Sequence, residues 1–166
     1  MENSNYIEKL NHQTLPITII LLLLLLFLLG GCSLKNNRLS LESIQKNIVL
    51  DKTTDSDLVE YYGQPDLIEK NKNKVKQEYN YWENQESGTD YLLEMDTNYW
   101  DDLKSSENIE EAYYPDSYYR YENNQVGLEN ITFYMKDNKV YYLHFGKIID
   151  RNEAKKDKYL SQIIDK

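Results

Sequence analysis

The sequence predicts an α+β domain in which two N-terminal helices pack on an antiparallel sheet of about four strands. Two segments with helical spacing of apolar residues follow residue 39, and apolar residues alternate between residues 131 and 145. An acidic segment, residues 83–129, lies between these patterns, and we predict that it is an insertion before the last hairpin. About 130 residues are enough for one domain with an ordinary core.

The first helix is predicted to begin after Ser40, whose side chain can cap it. Leu41, Ile44 and Ile48 then recur at helical spacing and form one apolar stripe. We therefore expect a short amphipathic helix at the start of the domain.

The second helix, residues 55–62, has start and stop signals. Thr54 precedes the acidic run Asp55–Asp57, which places negative charge in the first turn, where the helix dipole favours it. Gly63 can adopt the left-handed conformation that ends a helix, and Pro65 prevents its continuation. The apolar side chains that share one face are Leu58, Val59 and Tyr62.

A hairpin is predicted at residues 131–145. A two-residue turn at Asp137-Asn138 would pair Met135 with Val140 and would put the apolar residues of the two strands on opposite faces. A three-residue loop, Lys136 to Asn138, pairs Met135 with Lys139 and puts them on one face. We therefore predict the three-residue loop, with the core-facing residues Ile131, Phe133, Met135, Tyr141, Leu143 and Phe145.

His144 is then expected on the other face of the sheet, with Val140 and Tyr142. We interpret it as a sheet-surface histidine without a catalytic partner. The only other histidine, His12, lies in a segment that we expect to be removed.

The N-terminal residues 1–31 have the organisation of a signal peptide. The apolar run from Ile17 to Leu29 has thirteen residues, whereas about twenty are needed to span a bilayer comfortably. This length is typical of a signal-peptide core. The run ends in Leu29-Gly30-Gly31-Cys32, which resembles the lipobox of bacterial lipoproteins.

The lipobox resemblance implies the following processing. Leu29, Gly30 and Gly31 are recognised by the signal peptidase, and the chain is cut before Cys32. Fatty acyl chains such as palmitate are attached at that cysteine, and residues 32–38 become a lipidated tether. Ser33, where an aspartate would retain the protein in the inner membrane, implies a lipid-anchored, periplasm-facing protein of the outer membrane, or of the cell surface in a single-membrane cell. The alternative is a short uncleaved anchor with an idle Cys32.

A wider resemblance begins with the segment Ile48 to Asp66. Its residues Asp51-Lys52-Thr53-Thr54, Leu58-Val59 and Gly63-Gln64-Pro65-Asp66 resemble the SmpA/OmlA family, the small outer-membrane lipoproteins that include the BamE subunit of the β-barrel assembly machine. That family continues with a strand carrying a tryptophan beside tyrosine and with a terminal hairpin. Tyr79-Asn80-Tyr81-Trp82 and Ile131 to Phe145 fit those places.

The family resemblance implies a domain at residues 39–150 and a non-enzymatic role. It implies a scaffold or binding module in outer-membrane protein assembly or envelope integrity, with an envelope protein as partner and the membrane lipid bound through the acylated cysteine. Residues 151–166 are expected to form a polar C-terminal helix or a frayed tail. In the helical alternative Leu160, Ile163 and Ile164 dock on the domain, while Lys155, Lys156 and Lys158 contact anionic headgroups.

Residues 83–129 contain thirteen acidic side chains, two basic ones and seven tyrosines. Because disordered acidic tails are poor in aromatic residues, we expect partial order here. One interpretation is a contact surface for a partner, since tyrosine is enriched in interfaces. The other is a solvated insertion whose rings cover the outer face of the sheet. The candidate contact residues are Tyr113, Tyr114, Tyr118, Tyr119 and Tyr121.

Two motifs in this segment suggest other ligands. Asp96-Thr97-Asn98 with Asp101-Asp102 offers oxygen ligands for calcium, but it lacks the glycine and the terminal glutamate of an EF-hand loop. Ser87-Gly88-Thr89-Asp90-Tyr91 matches the Ser-Gly-x-x-Tyr signature of membrane-bound inhibitors of c-type lysozyme, which are all-β barrels. The alternative function is therefore inhibition of a basic enzyme such as lysozyme through the acidic segment.

Composition excludes several other functions. One cysteine cannot form an internal disulfide or a cysteine-rich zinc site, and a mature chain with a single histidine has little material for nucleophilic catalysis. The formal charge of −9 argues against nucleic acid, which needs a basic footprint. We predict no enzymatic activity, no metal, no cofactor and no small-molecule substrate.

Overall fold

The computed structural model describes residues 39–84, 88–106, 114–122 and 125–164. The predicted signal peptide, Cys32 and the tether lie outside these residues, as do Ser87 and Tyr113. In chain order the elements are α1 (Leu41–Asn47), β1 (Val49–Leu50), α2 (Asp55–Tyr62), β2 (Leu67–Glu69), α3 (Lys72–Glu83), α4 (Thr89–Asp96), α5 (Tyr99–Asp102), β3 (Lys104–Ser105), β4 (Ser117–Tyr121), β5 (Ile131–Lys136), β6 (Lys139–Phe145), α6 (Arg151–Ala154) and α7 (Leu160–Ile163).

The predicted α+β class is confirmed. The main sheet is antiparallel, with four strands in the order β2-β4-β5-β6, and β1 and β3 form a separate parallel pair. Strand β4 comes from the acidic segment, residues 83–129, and it lies between β2 and β5. That segment therefore contributes a central strand of the sheet.

Helices α1 and α2 begin at the residues that the sequence indicates. Ser40 accepts a hydrogen bond from the backbone N–H of Ser43 at 3.1 Å. Thr54 and Asp57 form a capping box, in which each side chain accepts the backbone N–H of the other residue, at 3.2 and 2.8 Å. The Thr54 hydroxyl also donates to the Asp57 carboxylate, at 2.7 Å, and the hydrogen bonds from the Thr54 backbone N–H and hydroxyl lower the pKa of Asp57. Gly63 ends α2 with a positive φ of 83°.

The hairpin turn differs from the prediction. Asp137 and Asn138 both have positive φ, as a two-residue type I′ turn requires, and Met135 pairs with Val140. The prediction of a three-residue loop is therefore wrong. The register shifts between Tyr134 and Met135, so that Tyr141 is an extra residue on β6.

This bulge keeps the predicted core-facing residues other than Tyr141 on one face despite the shorter turn. Phe133 pairs with Leu143 and Ile131 with Phe145, and all four side chains are in the main core. Val140 is also in that core, so it does not share a face with His144 as predicted. Tyr141 instead packs on the opposite face of the sheet.

The sheet is covered on both faces. On the inner face, Leu41 and Ile44 of α1 and Leu58 of α2 belong to the same core as Phe133 and Leu143 of the sheet. The predicted packing of the two N-terminal helices is thus confirmed. On the outer face, α3 packs a smaller cluster that consists of Val75, Tyr79, Tyr118 and Tyr134.

Residues 79–82 lie in helix α3, and the prediction of a tryptophan-bearing strand is wrong. Asn71 caps the helix through hydrogen bonds from Asn73 N and Lys74 N. Val75, Glu78, Tyr79 and Trp82 have the i, i+3, i+4, i+7 spacing of one helix face. The preference of tyrosine and tryptophan for strands is overruled here by packing of that face on the sheet.

The C-terminal segment docks on the inner core as two short helices. Leu160, Ile163 and Ile164 are buried, as expected in the docked alternative, and a frayed tail is not observed up to residue 164. The turn between α6 and α7 brings the carboxylate of Asp157 to the backbone N–H of Leu41, at 3.0 Å. None of the helices in the described ranges has the length and apolar character needed to cross a membrane.

Tyr134 and Tyr121 provide a test of this two-sided packing. The Tyr134 hydroxyl is buried and has no hydrogen-bond partner among the described residues, whereas the Tyr121 hydroxyl donates to Gly63 O at 3.1 Å. Tyr134→Phe is expected to leave the free energy of unfolding unchanged or to raise it by up to about 1 kcal/mol, because it removes an unsatisfied polar group. Tyr121→Phe is expected to lower it by about 1 kcal/mol.

Urea denaturation followed by circular dichroism measures both variants against the wild-type chain. A loss of stability in Tyr134→Phe as large as in Tyr121→Phe would contradict the absence of a partner for the Tyr134 hydroxyl.

Candidate functional site

A row of polar side chains crosses the outer face of the sheet. Arg120, Thr132 and His144 are neighbours on β4, β5 and β6, because Arg120 pairs with Thr132 and Thr132 pairs with His144. Arg120 Nε donates to Thr132 Oγ1 at 3.1 Å, and Thr132 Oγ1 donates to Asn130 Oδ1 at 3.1 Å. Thr132 and His144 are buried, so this row needs polar partners from the elements that cover it.

Helix α3 supplies two of these partners, Glu78 and Trp82, one turn apart. Glu78 Oε1 accepts from Arg120 Nη2 at 2.6 Å and from Trp82 Nε1 at 3.0 Å. Burial raises the pKa of Glu78, but these two hydrogen bonds and the Arg120 charge outweigh it and hold the pKa below its usual value. The Trp82 ring stacks on the His144 imidazole, with centroids 4.1 Å apart.

Asp90 at the start of α4 completes the row. Its Oδ2 lies 2.5 Å from His144 Nδ1, and its Oδ1 accepts the backbone N–H of Phe145 at 2.9 Å. The preceding residue, Thr89, donates its hydroxyl to Gly146 O at 2.8 Å. These contacts join the first turn of α4 to the end of β6.

The prediction of a surface histidine is therefore wrong. His144 is 5% exposed and has a carboxylate on Nδ1. Its Nε2 is buried and has no hydrogen-bond partner in the described part of the chain. A histidine that activates a side-chain nucleophile needs that nucleophile within hydrogen-bond distance, and the described residues place none at this nitrogen.

Two adjoining clefts open between α3, α4 and β6. The first has a volume of about 380 Å³, and its lining includes Tyr81, Trp82, Glu83, Asp90, Tyr91, Glu94, Tyr142, His144 and Lys147. The second has a volume of about 310 Å³ and shares Asp90, Glu94 and Tyr142 with the first. It adds Thr97, Trp100 and Asp101. Aromatic rings and carboxylates together make up most of this lining, which we call the aromatic-acidic cleft.

The predicted contact tyrosines that the structure describes do not line this cleft. Tyr118, Tyr119 and Tyr121 are on β4 and are each less than a tenth exposed, because successive residues of this strand pack into the two covered faces. Tyr114 is 47% exposed and lies edge-on to Tyr79. Of the described tyrosines in that group, Tyr114 is thus the one available to a partner.

The structure also shows where the lysozyme-inhibitor signature and the calcium motif of the acidic segment lie. Thr89 and Asp90 of the Ser-Gly-x-x-Tyr pattern anchor α4, and in the described part of the chain the sheet is open, with β2 and β6 as its edge strands. Within the described ranges, no three His, Cys, Asp or Glu side chains come together as metal ligands. Asp96, Asp101 and Asp102 of the calcium motif are among these residues.

Sequence reasoning missed the residues that build this site. Glu78 and Trp82 were detectable, because their helical spacing with Val75 and Tyr79 is visible in the sequence. Asp90 and His144 are 54 residues apart, and no local pattern predicts their contact.

The contacts of Asp90 predict a graded loss of stability. Asp90→Ala removes the acceptor of the Phe145 N–H and the partner of His144, and it is expected to lower the free energy of unfolding by about 2 kcal/mol or more. Asp90→Asn keeps an acceptor for that N–H and is expected to cost about half as much. Glu94→Gln, an exposed change on the same helix, is the control and should stay within about 0.5 kcal/mol of the wild type. Urea denaturation gives the three values, and equal effects of Asp90→Ala and Glu94→Gln would contradict the assignment.

No family model, curated protein or solved structure matches this chain.

Proposed function

We propose that the chain is a membrane-anchored bacterial lipoprotein whose folded domain is a non-enzymatic binding module or scaffold. The observation that carries the proposal is Leu29-Gly30-Gly31-Cys32 directly after an apolar run of thirteen residues. Stable anchoring takes more than one acyl chain, which a multiply acylated Cys32 would supply.

The first described residues of the domain are consistent with a short tether. Leu39 is buried, and the backbone N–H of Leu41 is bound by Asp157, so the domain is already fixed at these residues. The six residues from Ser33 to Arg38 reach at most about 20 Å. The domain would therefore act close to the bilayer.

The chemistry of the site supports binding more than catalysis. The described polar groups around His144 form the hydrogen bonds that hold α3 and α4 on the sheet. The exposed lining of the aromatic-acidic cleft consists of aromatic rings and carboxylates, which bind ligands by stacking and by ionic contact. The alternative of a lysozyme inhibitor has less support, because Thr89 and Asp90 of its signature anchor a helix.

Cys32→Ala tests the anchor. The wild-type chain is expected in the membrane fraction, beginning at Cys32 and carrying the added mass of its acyl chains. The variant is expected to retain residues 1–31 and to carry no acyl chain, whereas Ser33→Ala, the control, should be processed like the wild type. Mass spectrometry of the amino-terminal peptide measures this, and a wild-type chain that keeps residues 1–31 with a free thiol would favour the uncleaved anchor.

The role in outer-membrane protein assembly follows from the SmpA/OmlA resemblance. The helix ended by Gly63 and Pro65 and the terminal hairpin agree with that pattern, whereas Trp82 lies in a helix. After cross-linking in cells, the full chain is expected to co-purify with components of the assembly machinery, and a deletion strain should contain less outer-membrane protein. Absence of such components together with normal outer-membrane protein levels would count against this role.

A further inference from the structure

We infer that the aromatic-acidic cleft binds ammonium or guanidinium groups of lysine or arginine side chains on a protein partner. The inference rests on the proposed function as a binding module and adds the chemistry of the partner and the place where it binds.

The charges around the cleft favour a cation. Among the described residues, the carboxylates of Glu83, Asp90, Glu94 and Asp101 line its two parts, against the ammonium group of Lys147. Glu83, Glu94 and Asp101 are exposed, and their charges face the solvent from which a ligand arrives. An anionic glycan or lipid headgroup would be repelled here, whereas a cationic group is attracted by the net negative charge.

The aromatic rings add a second attraction for the same ligand. Tyr81 and Tyr91 are 56% and 42% exposed at the first part of the cleft. In the second part, the ring of Trp100 is nearly parallel to that of Tyr142, with an interplanar angle of 5°. The faces of such rings attract ammonium and guanidinium groups.

The domain already pairs its own cations with tyrosine rings in this manner. Lys76 Nζ lies 4.0 Å from the centroid of Tyr114, and the guanidinium of Arg120 lies 4.9 Å from that of Tyr118. The rings at the cleft offer the same interaction to a cation from outside.

His144 adds a buried polar atom without a described partner at the wall of the cleft. A carboxylate only accepts hydrogen bonds, so the proton between His144 and Asp90 is carried by Nδ1, which in the neutral ring leaves Nε2 as an acceptor. This Nε2 is buried at the wall of the cleft without a donor among the described residues. In that neutral tautomer, a ligand N–H would satisfy it. Because the nitrogen is enclosed in the free protein, that contact requires a shift of the stacked Trp82 ring, which tryptophan fluorescence would report.

The first test measures binding of a model peptide to the full chain in detergent micelles. The probe is a peptide of alternating arginine and glycine, and its control is the same peptide with citrulline in place of arginine. Titration followed by calorimetry and tryptophan fluorescence is expected to show binding of the arginine peptide only. Equal binding of the citrulline peptide, or no binding of either, would overturn the inference.

The second test separates the cleft from the general negative charge of the protein. Glu94→Gln with Asp101→Asn removes two exposed carboxylates of the cleft and is expected to weaken arginine-peptide binding about tenfold. Glu42→Gln with Glu60→Gln removes the same charge from exposed positions on α1 and α2 and should change the affinity less than about twofold. Equal weakening by the two pairs would overturn the cleft assignment. Circular dichroism confirms that each variant is folded.

Two further comparisons identify the source of the cation and distinguish failure of this inference from failure of the proposed lipid anchor. Spermidine carries the same ammonium groups without a peptide, and binding as tight as that of the arginine peptide would overturn the choice of a protein partner. Cys32→Ala is expected to lose acylation and to retain peptide binding. Peptide binding that is lost together with acylation would contradict a cleft located in the folded domain.

Discussion

Burial of both faces of the four-stranded sheet is the constraint on which the rest of the structure depends. Strand β5 lies in the interior of the sheet, and its residues Ile131 to Met135 are all buried. The inner face is apolar and is covered by α1, α2 and the C-terminal helices. The outer face carries Arg120, Thr132 and His144, so its cover has to provide hydrogen-bond partners as well as apolar contact.

The position of α3 and α4 follows from this requirement. Glu78 is bound to Arg120, Trp82 covers His144, and Asp90 binds both His144 and the backbone N–H of Phe145 on the edge strand β6. The last contact also occupies an edge N–H that would otherwise be available to another chain. The aromatic-acidic cleft lies where the two helices leave the outer face, so the candidate binding site is built on the same residues that close the sheet.

The parts of the fold that depend on local chemistry could be predicted from the sequence. The caps of α1 and α2, the glycine end of α2 and the common face of Phe133 and Leu143 are decided by neighbouring residues, and all were correct. The prediction of the hairpin turn is wrong because a bulge at Tyr141 accommodates one extra residue. The residues on either side of a bulge still alternate, so the sequence pattern does not reveal it. The candidate site was missed because Asp90 and His144 meet only after the sheet and α4 have formed.

The tyrosine-rich acidic segment shows why its composition does not distinguish a contact surface from a buried strand. A contact surface and a buried strand both favour tyrosine, whose ring fills a core while its hydroxyl reaches a polar group at the margin. The hydroxyl of Tyr119 donates to Asp55 at 3.1 Å, and that of Tyr121 donates to Gly63 O at 3.1 Å. Tyrosine rings on both faces of one strand can be buried only if other elements pack on both faces. On the outer face that element is α3, which was not identified as a helix from the sequence. With β4 buried, the described carboxylates Glu83, Glu94 and Asp101 of the segment are exposed, and they lie around the cleft. The same residues 83–129 thus supply a strand of the core and the negative charge of the candidate site.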